Sequence, residues 1–300
     1  MTISRSARPL DLVVLNTFIH VIDKGGFTAA GKTLHIAQST VSAHIKRLEE
    51  TFGQPLLQQG QQRPSPTPAG ERLLSHARQM LRQNSLAWQD VNEQRLDGVV
   101  RLGIPDDYLV YLPEALSEFE AKFPSVELVV HCGLSVDLVQ KVKSGGLDLA
   151  ITTRQPKSPG GEVLCREPTV WASAPGYDTQ QRTPLPLAVS TDGVCIFRER
   201  AIAALDTAGI IWRIAYTSAS LSGLSAAVRA GLAITAITPS MLNSGMRILG
   251  PSACLPELPA TEIALHRSPG RPSEATRQLA HQLQVHIKER SKRINSTHAL

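Results

Sequence analysis

Residues 25–42, GGFTAAGKTLHIAQSTVS, admit two incompatible readings. Gly26, four intervening residues, then Gly31, Lys32 and Thr33 match the spacing of a nucleotide phosphate loop. Such a loop must leave a buried strand, wrap its N–H groups around phosphates and open a sustained helix at the Lys-Thr step. The flanks decide against it. Upstream, Val14, Phe18, Val21 and Ile22, flanked by Leu12, Leu15 and Ile19, recur at helical spacing rather than in alternation, and Gly25 and Gly26 stop the run. Thr28 reads as the N-cap of a second helix of about two turns carrying Ala29, Ala30 and Leu34, which breaks within a few residues at His35, Ile36 and Ala37. A nucleotide-binding protein using Gly26 to Thr33 is thus the weaker alternative. In a helical reading Gly31 is a small packing residue and Lys32 is available to a phosphate.

From Gln38 onward, Val41, Ile45, Leu48 and Phe52 form a helical stripe that ends at Gly53. A short helix, a three-residue turn and a longer helix with an apolar inner face make the plan of a helix-turn-helix. On the opposite face Gln38, Ser39, Ser42 and Lys46 lie together, with Thr40 and Arg47 beside them. Short hydrogen-bonding groups at the N-terminal end of such a helix can read base edges, and the cations behind them can hold phosphates of double-stranded DNA. Ala37, just before this helix, offers no side-chain cap.

The run from Leu10 to Gly70 resembles the N-terminal domain of LysR-type transcriptional regulators, through LDLVVLNTFIHVIDKGGFTAA, LHIAQSTVS, IKRLEETFG and PLLQQGQQRPSPTPAG. The resemblance implies a winged helix-turn-helix over residues 1–66 whose third helix enters the major groove, with Thr28 among the DNA-binding residues and residues 55–66 forming a β-wing. Departures fall in that wing: Leu57 and Gln59 replace an aromatic residue and an arginine, and Pro64 and Pro66 cannot donate ladder hydrogen bonds. Arg63 is left as the wing cation for the DNA backbone.

Thr67 and Pro68 read as an N-cap and first helical residue, with Glu71 favourable near the positive helix end. Ala77, Asn84 and Val91, and Leu74, Leu81 and Trp88, are spaced by sevens, with Leu73 and Met80 alongside, which is a short heptad seam in a linker helix over 67–96. Packing against its own domain is the alternative use of that seam. The resemblance implies pairing at this place, hence a homodimer or homotetramer that engages two half-sites of an interrupted palindrome, with RNA polymerase as a further partner.

From Val99 the pattern alternates: GVVRLGI as strand, Pro113 to Lys122 as helix, VELVVHC as strand, Ser135 to Ser144 as helix, and LDLAIT as strand. Parallel βαβ units gather ligands at the carboxyl ends of their strands. LPEALSEFEAKFPSVEL, GGLDLAIT and AAVRAGLAITAI resemble the effector-binding domain of the same family, and IPDDYLVYLPE resembles one subgroup. The fold class expected is therefore mixed: an all-α winged helix-turn-helix head, a long linker helix, and a two-lobed α/β domain similar to periplasmic solute-binding proteins over residues 97–300. Lobe I is expected over about 97–165 with 265–300, and lobe II over about 166–264. Strand ends and helix starts name Pro105, Asp106, Asp107, Ser135, Thr152, Thr153, Ser218 and Ser220 as candidate contacts to a small-molecule effector, with Ser222 near the last pair. Arg198 is a candidate partner for a carboxylate, whereas the two adjacent aspartates favour a ligand with amine or hydroxyl donors. Gly223 to Ala227 approximates a nucleophile elbow around Ser225, but the stretch reads as continuous helix, so a serine hydrolase is disfavoured.

Bulk properties agree. The net charge of +5 is terminal: residues 1–66 hold seven Lys/Arg against four Asp/Glu, residues 267–300 seven against two, and the middle seventeen against twenty. A basic module on a slightly acidic body suits a nucleic-acid reader with a separate sensing part. Cys132, Cys165, Cys195 and Cys254 lack metal-ligand spacing, so reduced thiols and neither metal nor cofactor are expected. No apolar run is long enough to span a bilayer and no cleavable leader is legible, which places the chain in the cytoplasm with no membrane partner.

Overall fold

Leu12–Asp23 coils into the first helix, α1, because its apolar residues share one face and Asp11 caps its start, accepting from the Val13 N–H at 2.9 Å. The computed structural model describes residues 9–58, 63–92, 98–193 and 195–298, with the side chains of residues 86, 89–92 and 294–298 left aside. The chain divides into two compact units, one built on the first four helices with residues 143–146 and 268–271, the other on the remainder from the first strand onward.

In the head, α1 is followed by α2 (Phe27–Leu34) and α3 (Gln38–Phe52). Helix α2 begins two residues earlier than its sequence suggests. Its N-cap is Gly26, whose carbonyl accepts from the Ala30 N–H at 3.0 Å, so Thr28 lies within the first turn, exposed, instead of capping it. Gly26 lies in extended backbone, φ 171° and ψ 158°, with open space around its Cα. His35 closes α2 in the left-handed conformation at φ 55°, and Ala37 starts α3 without a side-chain cap. Val41, Ile45 and Leu48 pack inward with Val14, Leu15, Phe18, Val21 and Ala30, whereas Phe52, the last residue of the stripe, is exposed.

The wing is held at its base. Glu49 Oε1 accepts from the Leu56 N–H at 2.8 Å and the Leu57 N–H at 3.3 Å. Leu57 bridges Pro66 antiparallel, and the flanking bonds Gln58 N to Ser65 O, 2.8 Å, and Thr67 N to Leu56 O, 2.9 Å, carry the pairing. Pro66 thus occupies a position that needs no N–H, which is how the ladder tolerates it. Residue 59 and the tip of the wing lie outside the described residues.

Helix α4 (Pro68–Asn92) is capped by Thr67, whose hydroxyl accepts from the Gly70 N–H at 3.1 Å and donates to Pro55 O at 2.9 Å. Its first turns belong to the head: Leu73, Leu74 and Ala77 are buried in the head's core, Leu81 packs against it, and Arg78 pairs with Asp23 at 2.6 Å. The N-terminal half of the expected seam is thus used within the chain. Met80 and Trp88 are exposed, Trp88 by 65%, and the side chain of Val91 lies outside the described residues.

The body follows as β1 (Gly98–Ile104), a 3-10 turn at Asp106–Tyr111, α5 (Leu112–Lys122), β2 (Val126–Cys132), α6 (Ser135–Lys143) and β3 (Leu149–Thr153). Next come β4 (Glu162–Ser173), β5 (Leu185–Val189), α7 (Ile196–Thr207), β6 (Trp212–Thr217), α8 (Leu221–Arg229), β7 (Thr235–Ile237), β8 (Arg247–Ile248), β9 (Leu258–Arg267) and α9 (Glu274–His298). One lobe holds parallel β2, β1 and β3, the other parallel β5 and β6 with β7 and β8. The long antiparallel strands β4 and β9 run through both: β4 pairs β9 over its first part, then β7 and β8, with register shifts at Val163/Cys165 and Glu167/Thr169. A two-lobed α/β body whose lobes share crossing strands is the architecture expected. Among the described residues no helix is long and apolar enough to cross a membrane.

Candidate functional site

Two surfaces carry chemistry, one on each unit. On the head, burial of Val41, Ile45 and Leu48 turns the other face of α3 outward: Gln38, Ser39, Ser42, Lys46 and Arg47 are exposed and Thr40 is half-buried. Lys46 reaches Glu50 at only 3.9 Å, while Arg47 lies 3.6 Å from Asp11 at the start of α1. Exposed pairs of this kind are weak, so both cations can turn to a phosphate at little cost. Thr28 and Lys32 are exposed on α2, and Arg63, exposed at the wing, lies along Gly25, where an added Cβ would meet its Nε at 3.5 Å. His44, not singled out by the sequence pattern, fixes α3 to α1 through a 2.8 Å bond between its Nδ1 and the Thr17 hydroxyl. That hydroxyl already donates to Val13 O at 3.0 Å, so Nδ1 is the donor.

The phosphate-loop alternative fails on the same geometry. Helix, not strand, precedes Gly26; Gly31 is buried under the turn; and the Thr33 hydroxyl donates back to Ala29 O at 3.1 Å. Ser225 fails as a nucleophile for a similar reason. It is buried in the middle of α8 and its hydroxyl accepts from Asn243 Nδ2 at 2.9 Å, with no histidine beside it among the described hydrogen-bond partners.

In the body a cavity of about 390 Å³ opens between the lobes. Of the candidates read from sequence, Pro105, Asp106, Asp107, Ser135, Thr153, Arg198 and Ser220 line it. Thr152 and Ser218 do not. Successive residues of a strand face opposite sides, so Thr152 is buried behind β3 when Thr153 faces the cavity. The Ser218 hydroxyl accepts from the Ser220 N–H at 3.2 Å and so shapes the approach to α8, whose N-cap is Ser220, accepting from the Gly223 N–H at 3.2 Å. The apolar wall, which includes Leu134, Phe197, Leu221 and Met241, comes from four separate segments of the chain and could not be assembled from local patterns.

The polar groups divide into fixed and unfixed. Ser135 Oγ accepts from the Thr153 N–H at 3.0 Å, and the Thr153 hydroxyl pairs with buried Tyr108 at 2.7 Å. Arg198 donates to Ser190 O at 2.9 Å and stands 3.4 Å from Asp192, so its charge is met by its own loop. Asp106 spans the cleft: its Oδ2 accepts from the Leu221 N–H at 2.9 Å, a carboxylate at the positive end of α8. Lys157 makes a second clasp, to Gly193 O at 2.7 Å and Glu199 at 3.2 Å. Asp107 differs from its neighbour. It lines the cavity without a hydrogen-bond or ion-pair partner among the described residues, and burial, with Asp106 beside it, pushes its carboxyl up to about 7. Outside the cavity lining, on crossing strand β4, Glu167 accepts from the Tyr111 hydroxyl; burial raises its carboxyl, with the Ser240 and Thr238 hydroxyls pulling the other way.

Comparison with known proteins identifies the family of both units. Residues 12–71 match the family model of the bacterial regulatory helix-turn-helix protein, lysR family, and residues 93–287 match the LysR substrate binding domain. The transcriptional regulator DgdR of Burkholderia cepacia is 34% identical over 279 residues, covering 93% of this chain and 95% of its own. PecT of Dickeya dadantii is 33% identical over 274 residues, covering 91% and 86%. Among solved structures, ArgP from Mycobacterium tuberculosis has a TM-score of 0.75 at 18% identity, covering 93% of this chain and 97% of that one. Full-length CbnR complexed with its target DNA has a TM-score of 0.58 at 19% identity, covering 92% and 100%. The helix-turn-helix head and the two-lobed domain that follows it thus match one family along nearly the whole chain, and the protein belongs to the LysR family of DNA-binding transcriptional regulators with an effector-binding domain, not to an enzyme family.

Proposed function

We propose that α3 reads operator DNA through Gln38, Ser39, Thr40 and Ser42, while Thr28, Lys32, Lys46, Arg47 and Arg63 hold phosphates on either side. The observation that carries this reading is the division of α3 into an inner apolar face and an outer face of hydroxyls, amide and cations. One head has few phosphate contacts, so homo-oligomers, dimer or tetramer, engage two half-sites of an interrupted palindrome together, in the cytoplasm and within reach of RNA polymerase. A small effector enters the cavity through contacts to Pro105, Asp106, Asp107, Ser135, Thr153, Arg198 and Ser220. It acts on DNA only as far as it prefers one lobe arrangement over another, and the two clasps, Asp106 to α8 and Lys157 to α7, are what that preference would work on.

The experiment compares Ser42→Ala with Lys46→Ala in salt-dependent DNA binding. Loss of Lys46 removes one phosphate contact per head, so in a two-head complex the slope of log K against log salt falls by about 1.8, with all sequences weakened alike. Loss of Ser42 leaves the slope unchanged and costs about 1–3 kcal/mol of discrimination at one base pair per half-site. Equal, salt-independent losses from both variants would remove the assignment.

A further inference from the structure

The charges around the cavity name the chemistry of its occupant, an inference that rests on reading the cavity as the effector site. Among the described lining residues the cation is Arg198, already held by Ser190 O and Asp192. Of the two carboxylates, Asp106 is spent on the Leu221 N–H across the cleft. Asp107 is not spent on anything: it faces the cavity with no partner among the described residues. The rest of the wall is mainly apolar, with Leu134, Phe197, Leu221 and Met241 among its larger side chains. An anionic ligand would enter against two carboxylates, with Arg198, partly engaged by Ser190 O and the exposed Asp192, as the one cation among the described lining residues. A cation would find a carboxylate without a counter-charge, and a buried charge is tolerated only when paired.

We propose that the effector of this chain is an amphipathic cation, a protonated primary amine seated against Asp107 and carried on a small apolar body that fills the space between Leu134, Phe197, Leu221 and Met241.

A pH dependence follows. The titratable groups that interact with Asp107 are Asp106 and Tyr108 on its own turn and Cys195 just before α7, while Arg198 and Cys132 stand elsewhere on the cavity wall. Burial beside Asp106 pushes the Asp107 carboxyl to about 7, so near neutrality the cavity without a cation holds it partly protonated. An ammonium requires the ionised form. Simple amines stay protonated through pH 8, so the titrating group is Asp107. Its ionised share rises from about one tenth at pH 6 to about nine tenths at pH 8, and amine affinity rises about tenfold with it.

The test is calorimetric titration of the full chain with primary amines bearing linear, branched and aromatic bodies of up to about ten carbons, each beside the carboxylate and the alcohol of the same body. The expected result is that at least one amine binds, at least tenfold more tightly than its carboxylate and alcohol counterparts, with about tenfold stronger binding at pH 8 than at pH 6. In Asp107→Asn both the amine preference and the pH dependence disappear. The wild-type comparisons stand even if that variant does not fold, and Asp107→Ser provides a second one. Carboxylates outbinding amines at pH 7.5, amine affinity unchanged in a folded Asp107 variant, or no amine binding at all would overturn the proposal. DNA footprinting separates the two layers: an anionic compound that binds the cavity and alters the footprint overturns the amine class and keeps the effector reading. An amine that meets every binding criterion but leaves the footprint unaltered keeps the class and removes that reading.

Discussion

Gly31→Ala tests whether the glycine that mimics a phosphate loop is a packing device. A Cβ at Gly31 would lie 2.8 Å from the Ile36 carbonyl oxygen, 3.6 Å from the Gln38 nitrogen and 3.6 Å from Val41 Cγ2. Two effects oppose each other. Alanine in a helix is about 1 kcal/mol better than glycine, whereas an extra methyl forced into a packed site costs about 1–3 kcal/mol. The nearest atom belongs to the backbone of the three-residue turn, which cannot swing aside like the end of a flexible side chain. Moving it would tilt α3, whose start is set by that turn. The clash therefore wins, and a net destabilisation of about 1 kcal/mol is expected in the head. Hydrogen exchange followed on α2 and α3 peptides of the full chain measures it directly, as faster exchange there and unchanged rates in the body. DNA affinity should fall as well, because α3 loses its direction. Slower exchange in the variant would show that the turn has room and that propensity decides. ATP-dependent stabilisation of the wild type, lost in Lys32→Ala, would restore the phosphate-loop reading instead.

Gly70→Ala should be harsher, since its Cβ would come within 2.0 Å of the Leu56 carbonyl oxygen and 3.1 Å of Pro66 Cβ; a loss at or above about 3 kcal/mol is expected in chemical denaturation of the head, and a change under 1 kcal/mol would contradict the contact. Glu49→Ala strips the Leu56 and Leu57 N–H groups of their acceptor, at a cost of about 1–3 kcal/mol, and should appear as faster amide exchange at the wing base with α1 exchange unchanged. For Glu167 the sign follows from its raised carboxyl: the folded state keeps the proton longer than the unfolded one, so stability is greatest below the ordinary carboxylate range and falls as pH rises through the raised value. Glu167→Gln keeps an acceptor for Tyr111 without the charge, so the melting temperature at pH 8 should rise and the pH dependence between 5 and 8 should flatten; a variant less stable than wild type at pH 8 would show that the carboxylate is needed charged.

What the sequence determined by itself was whatever depends on neighbours within a few residues. The stripe Val41, Ile45, Leu48 marks an inner face whatever lies beyond it, which is why the helix-turn-helix, the outward set Gln38, Ser39, Ser42 and Lys46, and the alternating elements of the body were legible. The start of α2 was less so, because Thr28 and Gly26 can both terminate a helix and the choice turns on which backbone lies extended. Only the tertiary structure decided how distant segments share work. Leu73, Leu74 and Ala77 fit a heptad seam and a domain core equally well, and the head claimed them. Thr152 and Thr153 look alike until the pleat of β3 sends one behind the strand and one into the cavity. Adjacent Asp106 and Asp107 are chemically identical, yet one meets the start of α8, 115 residues away, and the other meets the cavity alone. Periodicity is a short-range property of the chain, whereas charge pairing and cavity shape are settled by which remote groups the packed lobes bring within a few ångströms.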